Sequence, residues 1–253
     1  MKFKELIGND KVYFEEMYLD KELSWDKRMQ LLMALTKKSE RTVRKWAVKL
    51  GLTQKTLVDS PDLELAKTKT HDKNKKKFII TWAQNATSVH KKLLKNIEAY
   101  SEFLDAEIIV IAGRYNNPTS LRVNKTNDYW DKSLTKYLSA KRHDIHKYMT
   151  IRSDVRTQPT AVNPMSGMEG MSRDNSCIFG HPKVHMKMIP VLNNYSPKMM
   201  MTTGSITKMN YTDSKAGKKS EFHHQYGFVV VEIEDENMFH SRQVTTEKNG
   251  SFY

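Results

Sequence analysis

Residues 24–51, SWDKRMQLLMALTKKSERTVRKWAVKLG, read as two short amphipathic helices placed end to end. Trp25, Met29, Leu32, Met33 and Leu35 recur at three- and four-residue steps, the spacing of one buried stripe, and Ser24 is placed to cap its start. Thr36, Lys37, Lys38 and Ser39 interrupt that stripe. Ser39 can cap a second helix carrying Val43, Trp46, Ala47 and Leu50, closed by Gly51. Off its stripe the second helix shows Arg41, Thr42, Arg44, Lys45 and Lys49, opposed by Glu40 alone. A cationic helix of this kind fits the major groove, where first-turn side chains reach base edges and outlying Lys and Arg neutralise phosphates. Arg41, Thr42 and Lys45 are the expected base readers.

The run SERTVRKWAVKLGL resembles the recognition-helix segment of helix-turn-helix proteins, although Lys37 and Lys38 stand where the usual turn holds a glycine followed by an apolar residue. Two other readings fit the same residues: general nucleic-acid contact, and a small helical bundle whose basic face is merely solvated. Upstream, Phe3, Leu6, Ile7, Val12, Phe14 and Met17 alternate with charge and predict a helix or a short wing added to the same core.

Downstream the chain turns polar from Thr53 to Lys77, with a Ser60-Pro61 break and the run THDKNKKK, which predicts a basic linker over residues 59–77 between a helical DNA-binding domain (1–58) and an α/β domain (78–253). Lys73, Lys75 and Lys76 in that linker are candidate phosphate contacts. Residues 1–77 hold 19 Lys and Arg against 12 Asp and Glu, an excess of 7 out of the whole chain's +13. With 42 basic against 29 acidic residues in 253, polyanions are attracted to the protein, whether DNA, RNA or an acidic membrane surface.

Cys177 is the single cysteine, so no intrachain disulfide exists and a reducing compartment is expected. There is no apolar run of about 18 residues, and MKFKELIGND lacks the apolar core of a secretory signal. Cytoplasmic localisation without membrane insertion is the expectation.

The α/β domain opens with a strand, helix, strand unit. Phe78–Ala83 (FIITWA) and Glu107–Ala112 (EIIVIA) are short apolar runs, and Val89, Leu93, Leu94, Ile97 and Tyr100 between them are spaced as a helix. Strands apolar on both faces with short connections predict parallel pairing in a sheet that is mixed overall. Ligands gather beyond the carboxyl ends of such strands, which makes Asn85, Thr87, Ser88 and Arg114 candidates for an anion site at the start of the following helix, with Tyr115, Asn116 and Asn117 beside it. No glycine-rich phosphate loop accompanies them.

Residues 128–149 carry Trp130, Leu134, Tyr137, Leu138, Ile145 and Tyr148 and predict a helix or helix pair; Thr157–Gly170, with two prolines and two glycines, predicts a loop. Further strands are expected at Val184–Ile189, Lys198–Thr203 and Gly227–Ile233. Met186, Met188, Met199, Met200 and Met201 read as adaptable core or interface filling. Cys177, His181 and His185 are spaced by four, and His223-His224 follow downstream, the residue types of a soft metal site. Pro182 argues against a shared helix, and adjacent histidines on a strand would face opposite ways. Hydrogen-bonded histidines with no metal are the stronger reading.

Six segments resemble a known group: FIITWAQNATSVHK, EIIVIAGRYNNPTS, QPTAVNPMSGMEG, SCIFGHPKVHMK, MTTGSITKMNYTDSKAGKKSEFHHQYGFVVVEI and the ending RQVTTEKNGSFY. Together they are similar to the N-terminal region of tailed-phage proteins in which a calcineurin-like metallophosphoesterase domain follows, some of them early DNA-transfer or host-DNA-degrading proteins of the T-five-like phages. The resemblance covers residues 78–253, and the Gly-Asp-x-His and Gly-Asn-His-Asp ligand motifs of such phosphoesterases are absent from the chain. It implies a fragment or a stand-alone relative without that metal centre, with Mn or Mg as cofactor only if the likeness extends to activity. The resulting expectation is a phage-type protein that binds double-stranded DNA in early DNA transfer or host takeover and has no catalytic residues in this chain. The alternatives are a metal-dependent nuclease or phosphoesterase, and a module that binds and inhibits a host protein through the methionine-rich patch.

Overall fold

In a computed structural model, β1 (Lys77–Gln84) carries two apolar faces, and each is buried against a different layer. The structure describes residues 8–20, 23, 25–50, 52, 61–115, 129–172, 175–191 and 197–253. The chain divides into two compact units, residues 1–58 and 59–253. Ser24, Gly51, Asn116, Asn117 and most of the polar stretch before Pro61 lie outside the described residues.

The first unit contains α1 (Gly8–Leu19), α2 (Trp25–Thr36) and α3 (Glu40–Lys49). Phe14 from α1, Met29 and Leu32 from α2, and Val43, Trp46 and Ala47 from α3 form its core, so the stripes of alternate apolar residues face one another. Lys37, Lys38 and Ser39 connect α2 to α3. Lys37 adopts a left-handed backbone, φ 53°, the conformation in which a chain leaves a helix and turns back. Thr36 ends α2 with its hydroxyl donating to the Leu32 carbonyl at 2.7 Å.

The second unit is a sandwich of two five-stranded mixed sheets. α4 (Pro61–Thr68) lies before β1, and α5 (Lys91–Leu104) joins β1 to β2 (Glu107–Gly113), which pair in parallel from Phe78 with Glu107 to Gln84 with Gly113. With β3 (Leu138–Ser139), β9 (Gly227–Ile233) and β10 (Phe239–Thr245), the first sheet runs β10-β9-β1-β2-β3. The second, β4-β5-β6-β8-β7, comprises β4 (Arg142–His146), β5 (Met149–Arg152), β6 (Ser176–Phe179), β7 (Met186–Ile189) and β8 (Lys198–Thr202). α6 (Glu169–Ser172) precedes β6 and α7 (Lys215–His223) precedes β9.

Alternation along β1 assigns its faces. Phe78, Ile80 and Trp82, with Ile109, Ile111, Val229 and Val231, meet Ile145, Met149, Ile151, Ile178 and Met201 of the second sheet. Ile79 and Ala83 point the other way, onto Val89, Leu93 and Ile97 of the α5 layer. Past Ile80, β1 and β9 diverge and residues 203–207 fill the gap: Trp82 N–H donates to Gly204 O at 3.3 Å, and Ile206 N–H to Trp82 O at 2.9 Å. Gly204 has φ 77°, and a Cβ there would lie 3.0 Å from the Gly227 backbone, so the wedge needs glycine.

The protein is therefore of mixed α+β class, helices with two mixed sheets. Three expectations need correction. Residues 128–149 are not a helix pair: a 3-10 turn at Lys132–Leu134 leads into β3, β4 and β5. Trp130, Leu134 and Leu138 do share one core cluster, as their four-residue spacing required, but from a turn and a strand start. His223 ends α7 and His224 is its C-cap, so neither lies on a strand. Finally, the stretch read as linker contains α4, whose Ala66 is fully buried and whose carbonyl accepts from Ala140 N–H at 3.0 Å.

Candidate nucleic-acid interface

α3 owes its place to Val43, Trp46 and Ala47, which anchor one face in the first unit's core and turn the remaining face outward. Arg41, Arg44 and Lys45 are exposed on it, and Thr42 is half-buried with its hydroxyl 3.3 Å from that of Ser39. Arg44 reaches back one turn to Glu40, through Nη2 at 2.5 Å and Nε at 3.0 Å, which neutralises one cation. Arg41 and Lys45 make no ion pair among the described residues. Lys49 closes α3, and its side chain lies outside what is described.

The lysines before β1 are in a different setting. Lys75 pairs with Asp105. Lys73, Lys75 and Lys76 share the rim of one cavity with Lys147 and with Glu234, Asp235 and Glu236. Carboxylates at that range offset the lysines' field, so this cluster is less cationic than its sequence implies.

Asn85, Thr87 and Ser88 do follow β1, but the amides beyond them are used by the chain itself. α5 starts at Lys91 and is capped by His90, whose Nδ1 accepts from Leu93 N–H at 3.1 Å. Val89 N–H donates to Asp131 at 2.9 Å and His90 N–H to Ile206 O at 2.9 Å. The Asn85 side chain accepts from Tyr115 N–H at 2.8 Å, and Thr87 donates to the Asn85 carbonyl at 2.9 Å. Asn210 bridges to Ala86 O at 2.9 Å. The residues expected to hold an anion at this helix start also build a braced turn. Arg114 lies on the wall of a cavity at the ends of β1, β2 and β5.

The candidate metal ligands are dispersed. Cys177 is buried in β6 among Met165, Phe179 and Met200, and burial pushes its thiol up to about 11, so it is neither thiolate nor nucleophile. His181 is fully buried after β6; it accepts from Lys183 N–H at 2.9 Å on Nδ1 and so donates from Nε2 to Gln158 O at 2.9 Å. His224 accepts from the Tyr211 hydroxyl at 2.7 Å on Nδ1 and donates to Thr207 O at 3.1 Å. Desolvation holds both imidazoles at about 4, neutral and fully used. His185 and His223 are partly exposed, both held below the usual range by desolvation and neighbouring lysines. Among the described residues no three His, Cys, Asp or Glu side chains converge as an ion site.

Residues overlooked in the sequence are Ser153 and Arg156, which join Lys67 and Arg114 around the cavity. The missing signal was β5: residues 150–152 carried no assignment, so the loop SDVRT could not be placed beyond a strand's carboxyl end. Ser139 and His143 were likewise hidden; their Oγ and Nε2 lie 2.5 Å apart, and both are buried.

No helix among the described residues is long and apolar enough to cross a membrane. No known protein family matches the chain. No solved structure matches it either. The chain is 30% identical over 193 residues to Protein A1 of Escherichia phage T5, an alignment taking in 72% of the chain and 34% of that protein. The chain thus spans about a third of the length of this relative, and it is related to a phage protein.

Proposed function

We propose that residues 1–58 are a helix-turn-helix unit that grips double-stranded DNA, in a phage-type protein of early DNA transfer or host takeover whose chain here is non-catalytic. The observation that carries the reading is the outward face of α3, where Arg41 and Lys45 stand exposed and without ion pairs among the described residues, directly after a three-residue turn. The left-handed backbone at Lys37 supports it, because this is the turn position that usually holds glycine. Thr42 sits between them for a base-edge contact, and Arg44 serves the phosphates once Glu40 releases it. The phage relationship supports the setting. Binding of duplex by the full chain, followed across a salt series, tests this. Arg41→Glu/Lys45→Glu should weaken it about a hundredfold and flatten the salt slope by roughly 2. Equal binding by wild type and double variant ends the proposal.

A second reading has its own observation: β7 is an edge strand with Met186, Lys187 and Met188 all exposed, a surface suited to a protein partner.

A further inference from the structure

We infer that the cavity where β1, β2 and β5 end is a binding site for a phosphate-type oxyanion, carried by a phosphomonoester. It encloses about 230 Å³ and is walled by Lys67, Arg114 and Arg156, with Ser153 and Thr157 beside them. That volume is below the range of pockets that take drug-sized ligands, so it suits a phosphoryl group and some water rather than a whole nucleotide.

Two observations converge on an anion. The first is Ser153: it is 6% exposed, and its Oγ has no hydrogen-bond partner among the described residues, although it lines the cavity. A buried hydroxyl left unmatched by its own chain points to a partner from outside it. The second is charge. The walls carry three cations and one carboxylate, and that carboxylate, Asp154, is already held by Arg152 through both oxygens at 2.9 Å. Lys67 also reaches Glu64 at 3.5 Å on the surface, but Arg156 makes no ion pair among the described residues. The Arg156 guanidinium and the Ser153 hydroxyl together offer donors in more than one direction, which suits the oxygens of a phosphate.

The floor is the Trp82 indole, which lies so close under Gly113 that a Cβ there would stand 1.9 Å from its Nε1. The site is independent of the DNA reading, since it lies wholly in residues 59–253.

Titration of the full chain with orthophosphate at constant ionic strength, with acetate as control, tests the assignment. Saturable phosphate binding is expected, weakened at least tenfold in Arg156→Gln and severalfold in Ser153→Ala. Ser153→Ala should melt as wild type does in phosphate-free buffer, because no internal hydrogen bond is lost. Absence of saturable binding, equal binding by wild type and both variants, or equal affinity for acetate would overturn the site. A 5′-mononucleotide and a 5′-phosphorylated oligonucleotide, each beside its dephosphorylated form, tell whether the phosphoryl group arrives on a small molecule or on a nucleic-acid end. Arg41→Glu/Lys45→Glu should leave phosphate affinity unchanged, so each proposal fails separately.

Discussion

Three imidazoles in the sandwich are kept neutral by where they sit. His143, His181 and His224 are all buried, and desolvation is the main cause that lowers each to about 4. For His143 the neighbouring His71 and Lys141 add to the effect. Protonating His181 would turn an accepting Nδ1 into a donor facing another donor, the Lys183 amide, and protonating His224 would require the Tyr211 hydroxyl to turn from donating to accepting. The sign follows. Above pH 6.5 these histidines are neutral folded or unfolded; between 6.5 and 4 the unfolded chain takes up protons that the folded one refuses. Stability is therefore full above about 6.5 and falls as the pH drops toward 4. Urea titrations should show about three protons taken up on unfolding near pH 5, a slope of at most ~4 kcal/mol per pH unit. His224→Gln should reduce that uptake by about one proton, and an unchanged slope would show that this imidazole is not held neutral. The spacing of His181 from Cys177 and His185, with His224 downstream, invited a metal reading. Their actual partners, Gln158 and Thr207 among them, come from folding and are not visible in a local pattern.

At the scale of an element, α3 carries both the proposed DNA face and a brake on it. The Glu40–Arg44 pair spans one turn, with side chains 45% and 55% exposed, so it contributes little to stability and costs one cation on the proposed DNA face. Glu40→Gln should raise duplex affinity severalfold and steepen the dependence of log affinity on log salt by about 0.9, one further phosphate contact. The helix should lose about 0.5 kcal/mol. Unchanged affinity and slope in a salt series would mean that Arg44 does not face the DNA. Elements of this sort were legible in advance. α2 and α3 show clean stripes, and β1, β2, β8 and β9 are short apolar runs. What misled was the four-residue recurrence of Trp130, Leu134 and Leu138, which places them in one core as a helix would. The alternation of exposed Arg142 and Asp144 with buried His143 and Ile145 was the strand signal. Missing β4 and β5 hid the loop that carries Ser153 and Arg156, and the phosphate cavity with it.

For the whole molecule, each unit has a core of its own: Phe14, Leu32, Val43 and Trp46 in residues 1–58, and the two faces of β1 in residues 59–253. The basic charge is also divided, with 13 Lys and Arg against 8 Asp and Glu in the first unit and 29 against 21 in the second. Net charge therefore cannot decide which unit meets DNA; geometry has to. The first unit offers exposed cations on a helix, whereas the lysines before β1 sit among carboxylates and Arg114 and Arg156 line a cavity. A fragment of residues 59–253 should consequently fold alone, with Trp82 and Trp130 buried as in the full chain, because its cores borrow nothing from residues 1–58. It should keep orthophosphate affinity and lose the strongly salt-dependent part of duplex binding. If the fragment binds duplex as tightly as the full chain and with the same salt slope, the nucleic-acid contact lies in the sandwich, and the helical unit is a bundle whose basic face is only solvated.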